Sequence, residues 1–136
     1  MEFVQNNIWL ILVAILAAYM LIWPPISRHL SGIKEVGVNE AIQLINHKDA
    51  VILDVREDSE YFSGHVPHSR HIPLGALGKR HVELERYKNR PLLVVCRSGA
   101  RSGSACGMLR KYGFEEVYNL SGGVGAWQHA NLPLEK

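Results

Sequence analysis

The chain has 136 residues, enough for one compact domain and a short appendage. With 47% hydrophobic and 21% charged residues it has the make-up of an ordinary globular protein, and a formal net charge of +2 from scattered basic residues argues against a nucleic-acid partner. Two cysteines, Cys96 and Cys106, stand in no metal-ligand spacing and are too few for a disulfide scaffold, so a reduced thiol in a reducing compartment is the simpler reading.

The first element is apolar. Residues Ile8 to Trp23, IWLILVAILAAYMLIW, carry no charge, and Pro24, Pro25 and Ile26 extend the uncharged run. As a helix, Ile8 to Ile26 would rise about 29 Å, close to the roughly 30 Å of a bilayer's hydrocarbon core. No 3.6-residue stripe is visible, and Trp9, Tyr19 and Trp23 lie toward the ends, where interfacial aromatics are favoured. A cleaved signal would usually open on Lys or Arg, whereas this segment opens on Glu2, Gln5, Asn6 and Asn7 and shows no convincing small-x-small site. The expectation is a single-pass anchor at 8–26, with residues 1–30 as anchor and tether. Glu2 before the run and Arg28 and Lys34 after it point the rest of the chain to the cytoplasmic side of the plasma (inner) membrane.

Pro24-Pro25 should end that helix, and SRHLSGIKEVG reads as a tether. From residue 36 to 136 the pattern is that of one domain. VNEAIQLINH, 38–47, places Ala41, Ile42, Leu44 and Ile45 on one side and predicts a helix capped by Asn39. Four short apolar runs follow: AVILDV (50–55), RHIPL (70–74), PLLVVC (91–96) and EEVYNL (115–120). They lack strict alternation, as strands buried on both faces do, and they alternate with helical patterns at 58–63, 76–87, 102–112 and 123–130. The expected fold class is therefore α/β, an open parallel sheet flanked by helices.

In such sheets ligands bind beyond the carboxyl ends of the strands, and at the end of PLLVVC stands Cys96. The loop Cys96-Arg97-Ser98-Gly99-Ala100-Arg101-Ser102 runs into a helix that Ser102 is placed to cap. A helix N-terminus offers free N–H groups, Gly99 lets the backbone turn several of them inward, and Arg97 and Arg101 add charge. That cradle favours an anion, and the nearest one is the Cys96 thiolate, expected to be ionised near neutral pH and open to solvent. A persulfide, a phosphocysteine or a disulfide could each form on such a thiol. Phosphatase-type loops have five residues between Cys and Arg; here four separate Cys96 from Arg101, a narrower ring that argues against phosphate or arsenate.

Three blocks in order, LDVREDSEYFSGHVPHSRHIPLG (53–75), VVCRSGARS (94–102) and NLSGGVGAW (119–127), resemble the rhodanese-like (sulfurtransferase) domain. The resemblance covers nearly everything from Val36 onward. It implies transfer of sulfane sulfur from a donor such as thiosulfate to cyanide or a thiol acceptor through a persulfide on Cys96. It further implies that the amides of Arg97, Ser98, Gly99, Ala100 and Arg101 hold the terminal sulfur, that the arginines attract an anionic donor, and that no metal or organic cofactor takes part. A carrier or membrane-docking module with little turnover is the second reading, and a protein acceptor is possible within either. His68-Ser69 stands where such domains often have Gly-Ala, which puts the turn there in question.

The remaining features have plainer readings. Arg56 is expected to pair with Glu60 rather than to face the pocket, Cys106 to be a buried small hydrophobe rather than a resolving thiol for Cys96, and Trp127 to anchor the last helix. His65, His68 and His71 lie in a Pro-interrupted extended stretch that does not converge on a metal. The sign-alternating run KRHVELERYKNR (79–90) fits a solvated helix face.

Overall fold

In the computed structural model, residues 1–30 and 33–136 are described, 25–30 by their backbone only. The chain forms two compact units, Met1–Ser31 and Gly32–Lys136.

The first unit holds α1 (Glu2–Asn6) and α2 (Ile8–Leu30). The Asn7 side chain donates to Phe3 O at 2.8 Å, closing the joint between them. Helix α2 exposes apolar side chains on every side, Trp9, Leu12, Leu16, Met20 and Trp23 among them, and Tyr19 stacks on Trp23 with ring centroids 5.5 Å apart. Two expectations change. The helix runs through Pro24 and Pro25 to Leu30, so the first four residues of the expected tether are helical. The single-pass anchor is not supported: among the described residues no helix is long and apolar enough to cross a membrane. Pro25, Ile26 and Arg28, on which the expected length and orientation also rested, lie outside the residues whose side chains are described.

The second unit is the α/β domain. Its strands are β1 (Lys34–Val36), β2 (Val51–Asp54), β3 (Arg70–His71), β4 (Leu92–Val95) and β5 (Val117–Leu120). All pair in parallel, in the order β1-β5-β4-β2-β3, which confirms the open parallel sheet. The helices are α3 (Val38–His47), α4 (Asp58–Ser63), α5 (Leu77–Arg80), α6 (Ala100–Lys111) and α7 (Gly123–His129). Every residue of β2, β4 and β5 is buried, the cause of their largely apolar sequences without strict alternation. Side chains alternate between the faces. Leu53, Val94 and Val117 meet Ala105, Cys106 and Leu109 of α6 with Leu77, Leu84 and Phe114, while Ile52, Leu93, Val95 and Leu120 meet Ala41 and Leu44 of α3 and Val124 and Trp127 of α7. Each fully buried Leu, Val or Phe contributes about 1.5–3 kcal/mol, and that burial fixes both helical layers on the sheet.

Local differences from the expected elements have identifiable causes. Strand β1 falls inside the supposed tether; it is three residues long at a sheet edge with only Val36 buried, too short for a periodic signal. The helix expected at 76–87 is instead two 3-10 turns, Leu74–Ala76 and His81–Tyr87, around the four-residue α5. Its buried Leu84 and Tyr87 are three apart, the repeat of a 3-10 helix. The charged run there is solvated, with Arg80–Glu83 and Lys88–Glu85 pairs at the surface. Helix α3 has Gly37, not Asn39, at its N-cap. At His68 the turn survives without glycine, because His68 itself adopts φ +65° and its N–H donates to Glu135 Oε1 at 3.0 Å.

Candidate active site

Strand β4 is central, so its carboxyl end opens between β2 and β5, and Cys96 is the first residue beyond it. The chain then makes a tight turn into α6. Gly99, at φ +105°, is the residue that caps the helix, and it aims its own N–H at Cys96 Sγ, 3.0 Å away. Ser102, the expected cap, sits one turn in and fully buried, its hydroxyl oxygen 3.3 Å from Sγ and 2.5 Å from Asn119 Oδ1. Burial pushes the Cys96 thiol up, but hydrogen bonding from Ser102 and from the backbone N–H groups of Ser102, Ser98 and Gly99 outweighs it and holds the thiol below its ordinary value. The thiol is not open to solvent as expected: Cys96 is 1% exposed.

A second turn closes over the first. Gly122 and Gly123 have φ of +74° and +56°, and Gly123 lies so close to the loop that a Cβ there would collide with the Cys96 carbonyl oxygen and stand 2.8 Å from the Arg97 carbonyl carbon. The N–H groups of Val124 and Gly125 donate to Cys96 O and Arg97 O at 2.8 and 3.2 Å. The N-terminus of α7 thus ties off the carbonyls of the loop, leaving its N–H groups to turn toward sulfur.

The arginines divide the work. Arg56 is 5% exposed and bonds to both oxygens of the fully buried Asp54 and, at 2.8 Å, to Gly64 O. It joins the end of β2 to the end of α4 and is not paired with Glu60 as expected. Glu60 instead takes Arg101, with Nη1–Oε1 at 2.6 Å and Nη2–Oε2 at 2.9 Å. That fork holds the Glu60 carboxyl at about 2 and raises Arg101 above its usual range. Arg97 lines a cleft of about 380 Å³ with Arg56, Glu60, Gln128 and Leu134, bounded by Val124 and Gly125. Ala100 is the first residue of α6.

Of the expected site residues, Cys96, Ser98 and Gly99 meet at the sulfur, Ala100 and Arg101 form the first turn of the helix, and Arg97 faces the cleft. The residues that sequence reasoning passed over are Ser102 as a partner of Sγ, Asn119 behind it, Glu60 against Arg101, and Gly123. The Gly122-Gly123 pair was the one local signal, since consecutive glycines mark a close backbone approach.

The other singled-out residues are structural. Cys106 is fully buried and burial pushes its thiol up to about 12. Trp127 packs in the core and donates to Pro133 O at 2.9 Å. His65 and His71 stack on the two faces of Tyr61, with centroids 3.9 and 4.3 Å away.

Comparison with known proteins agrees with this geometry. Residues 37–130 match the rhodanese-like domain. The uncharacterized protein YibN of Escherichia coli is 36% identical over 105 residues, 76% of this chain and 73% of that protein. Thiosulfate sulfurtransferase GlpE of Pseudoalteromonas translucida is 32% identical over 97 residues, 71% of this chain and 90% of that protein. The crystal structure of a rhodanese-related protein from Thermoplasma volcanium superposes with a TM-score of 0.65 at 27% identity, covering 75% of this chain and 97% of the other. A buried, amide-cradled cysteine at the end of the central strand and these likenesses lead to one conclusion: the chain belongs to the rhodanese-like family of sulfurtransferase domains.

Proposed function

We propose that the domain moves sulfane sulfur from an anionic donor such as thiosulfate to cyanide or a thiol acceptor through a persulfide on Cys96. The observation that carries this reading is the Gly99 N–H held 3.0 Å from Sγ at the start of α6. It stabilises the thiolate without a base, and the same cradle suits the charge that a persulfide carries on its outer sulfur. In the first step the Cys96 thiolate attacks the sulfane sulfur of thiosulfate, the S–S bond breaks, and its electron pair leaves with sulfite. In the second, cyanide attacks the outer sulfur of the persulfide, the new S–S bond breaks, and its electron pair returns to Sγ as thiocyanate departs. The amides of Arg97 to Arg101 hold the outer sulfur, and Arg97, in the cleft beside the loop, attracts the donor.

The proposal includes attachment to a membrane through the apolar N-terminal unit, with the domain on the cytoplasmic side of the plasma membrane. The exposed apolar side chains of α2 and the need for a reduced thiol support it. Sedimentation of the full chain with membranes and its release by detergent but not by salt is the expected result; recovery in the soluble fraction removes that part.

Thiosulfate-to-cyanide transfer that is lost in Cys96→Ser is the expected outcome for the chemistry. Persulfide on Cys96 by mass spectrometry without turnover favours a carrier, and hydrolysis of phosphate esters with no persulfide overturns both.

A further inference from the structure

The cleft beside the Cys96 loop is larger than the small ions of the cycle above require. At about 380 Å³ it has the size of a site for a small organic molecule. Most of its charges are already paired, Arg56 with Asp54 and Glu60 with Arg101. Among the described residues lining it, Arg97 is the cation that these pairs leave to a ligand. Apolar surface comes from Val124 of α7 and from Leu134.

Leu134 lies in a strap, residues 132–136, whose position is set by its neighbours on both sides. The Glu135 backbone exchanges two hydrogen bonds with His65, from His65 N–H to Glu135 O at 2.9 Å and from Glu135 N–H to His65 O at 2.8 Å. The Glu135 carboxylate accepts from the His68 N–H at 3.0 Å and lies 3.4 Å from His65 Nε2. That N–H above all holds the Glu135 carboxyl below its ordinary value. On the other side, Pro133 O accepts from Trp127 Nε1 at 2.9 Å. Between these ties Leu134 packs on Gly64, where a Cβ would stand 3.4 Å from Leu134 Cδ1, and forms part of the cleft wall.

We propose that Leu134 is a specificity-determining residue of the second transfer step, that Glu135 is the positioning residue that holds it there, and that the acceptor they select is an organic thiol carrying a carboxylate and an apolar branch. Arg97 takes the carboxylate, and Leu134 with Val124 takes the branch. The inference rests on the sulfur-transfer reading. The acceptor thiolate attacks the outer sulfur of the Cys96 persulfide, the bond between the two sulfurs breaks, its electron pair returns to Sγ, and the acceptor leaves as a persulfide. Cyanide discharges the same persulfide but has no branch to bury, so it serves as the internal reference.

The full chain is loaded with thiosulfate, and discharge of Cys96 is followed with cyanide, 3-mercaptopropionate, its methyl ester and its 2-isobutyl derivative. The isobutyl acid keeps the spacing of thiol and carboxylate and adds only the branch. Wild type is expected to prefer it to 3-mercaptopropionate by about tenfold in kcat/KM, the order expected of a partly buried isobutyl group, and to prefer the acid to its ester. In Leu134→Ala, kcat/KM for the branched acid is expected to fall about tenfold more than for cyanide, through KM. Glu135→Ala is expected to reduce the preference to about threefold, and Glu135→Gln, which keeps an acceptor for the His68 N–H, to restore it. Equal losses with every acceptor would mean a merely structural strap and overturn the proposal. So would a wild-type chain that ignores the branch or takes the ester as readily as the acid. If Leu134→Ala does not fold, the wild-type preferences and the two Glu135 variants decide. Failure to form any Cys96 persulfide overturns the sulfur-transfer reading and this inference with it, whereas a persulfide discharged without regard to the branch overturns the inference alone.

Discussion

Cys96 and Cys106 lie ten residues apart, pack into the same hydrophobic cluster, and are 1% and 0% exposed, yet their chemistry is opposite. Burial pushes both thiols up; at Cys106 the charges of Glu35 and Cys96 add to it and a backbone hydrogen bond offsets little of it, so that thiol is pushed to about 12 and is inert. At Cys96 the amides at the head of α6 and the Ser102 hydroxyl outweigh the same effect. Exposure therefore does not separate a reactive cysteine from a structural one in this domain. What separates them is position along α6: Cys96 precedes the helix and meets its free N–H groups, whereas Cys106 lies within it, where those groups are bonded to carbonyls.

The comparison breaks most completely at Gly123. A side chain there would collide with the Cys96 carbonyl at a φ of +56°, forcing the loop off α7. Gly123→Ala is expected to cost about 3 kcal/mol, from a clash added to backbone strain, and to abolish sulfur transfer. Thermal denaturation and the thiosulfate-to-cyanide assay check both; wild-type activity in a stably folded Gly123→Ala would show that the loop does not need the α7 turn.

Cys106→Ala tests the other half. It removes a buried sulfur and is expected to cost about 1 kcal/mol, comparable to one methylene lost from the core, with transfer activity retained. In the wild-type chain, iodoacetamide is expected to modify Cys96 with a midpoint below the ordinary cysteine value and to spare Cys106 until about pH 12. Peptide mapping of the alkylated cysteine reads this directly, and modification of Cys106 at neutral pH would erase the contrast.

How much of this was legible in the sequence depends on the range of the interactions. The buried strands, the helices at 38–47 and 58–63 and the strand–Cys–helix order follow from local patterns, and so does Cys106 as a core residue. Cap assignment failed at α6 because Gly99 in a left-handed conformation can start a helix without a side-chain oxygen, which released Ser102 to turn inward toward Sγ. Arg56 and Glu60 are four apart and both charged, the natural local pair, but Asp54 is buried beside Arg56 and Arg101 arrives from 41 residues away to take Glu60. Glu35 could not be read at all: it meets Asn119 across 84 residues, on a three-residue edge strand that no periodicity announces. The apolar run at 8–23 is plain in the sequence, but its expected extension beyond Trp23 rested on two prolines and Ile26 alone.

The Arg101–Glu60 pair gives the smallest expected effect, and its sign bears on the same contrast between the thiols. The Glu60 carboxyl is held at about 2, below its ordinary 4.5, chiefly by its bond to Arg101. A carboxyl depressed on folding contributes stability that is full above about 4.5 and is lost as pH falls toward about 2. With side chains 34% and 28% exposed, solvent screening leaves the pair worth about 1 kcal/mol or less. Glu60→Gln keeps an acceptor for the Glu57 N–H and removes the charge, so it is expected to be slightly less stable than wild type at pH 7 and equal to it near pH 2. It also leaves the Arg101 guanidinium without its counter-charge near Cys96, which favours the thiolate, so the Cys96 midpoint is expected to fall slightly while Cys106 stays where burial puts it. Denaturation curves across that pH range and alkylation of the two thiols read the two effects independently. A Cys96 midpoint that rose in Glu60→Gln would mean that the pair serves the loop by holding its shape, and that the amides alone, without the charge of Arg101, distinguish the reactive cysteine from the inert one.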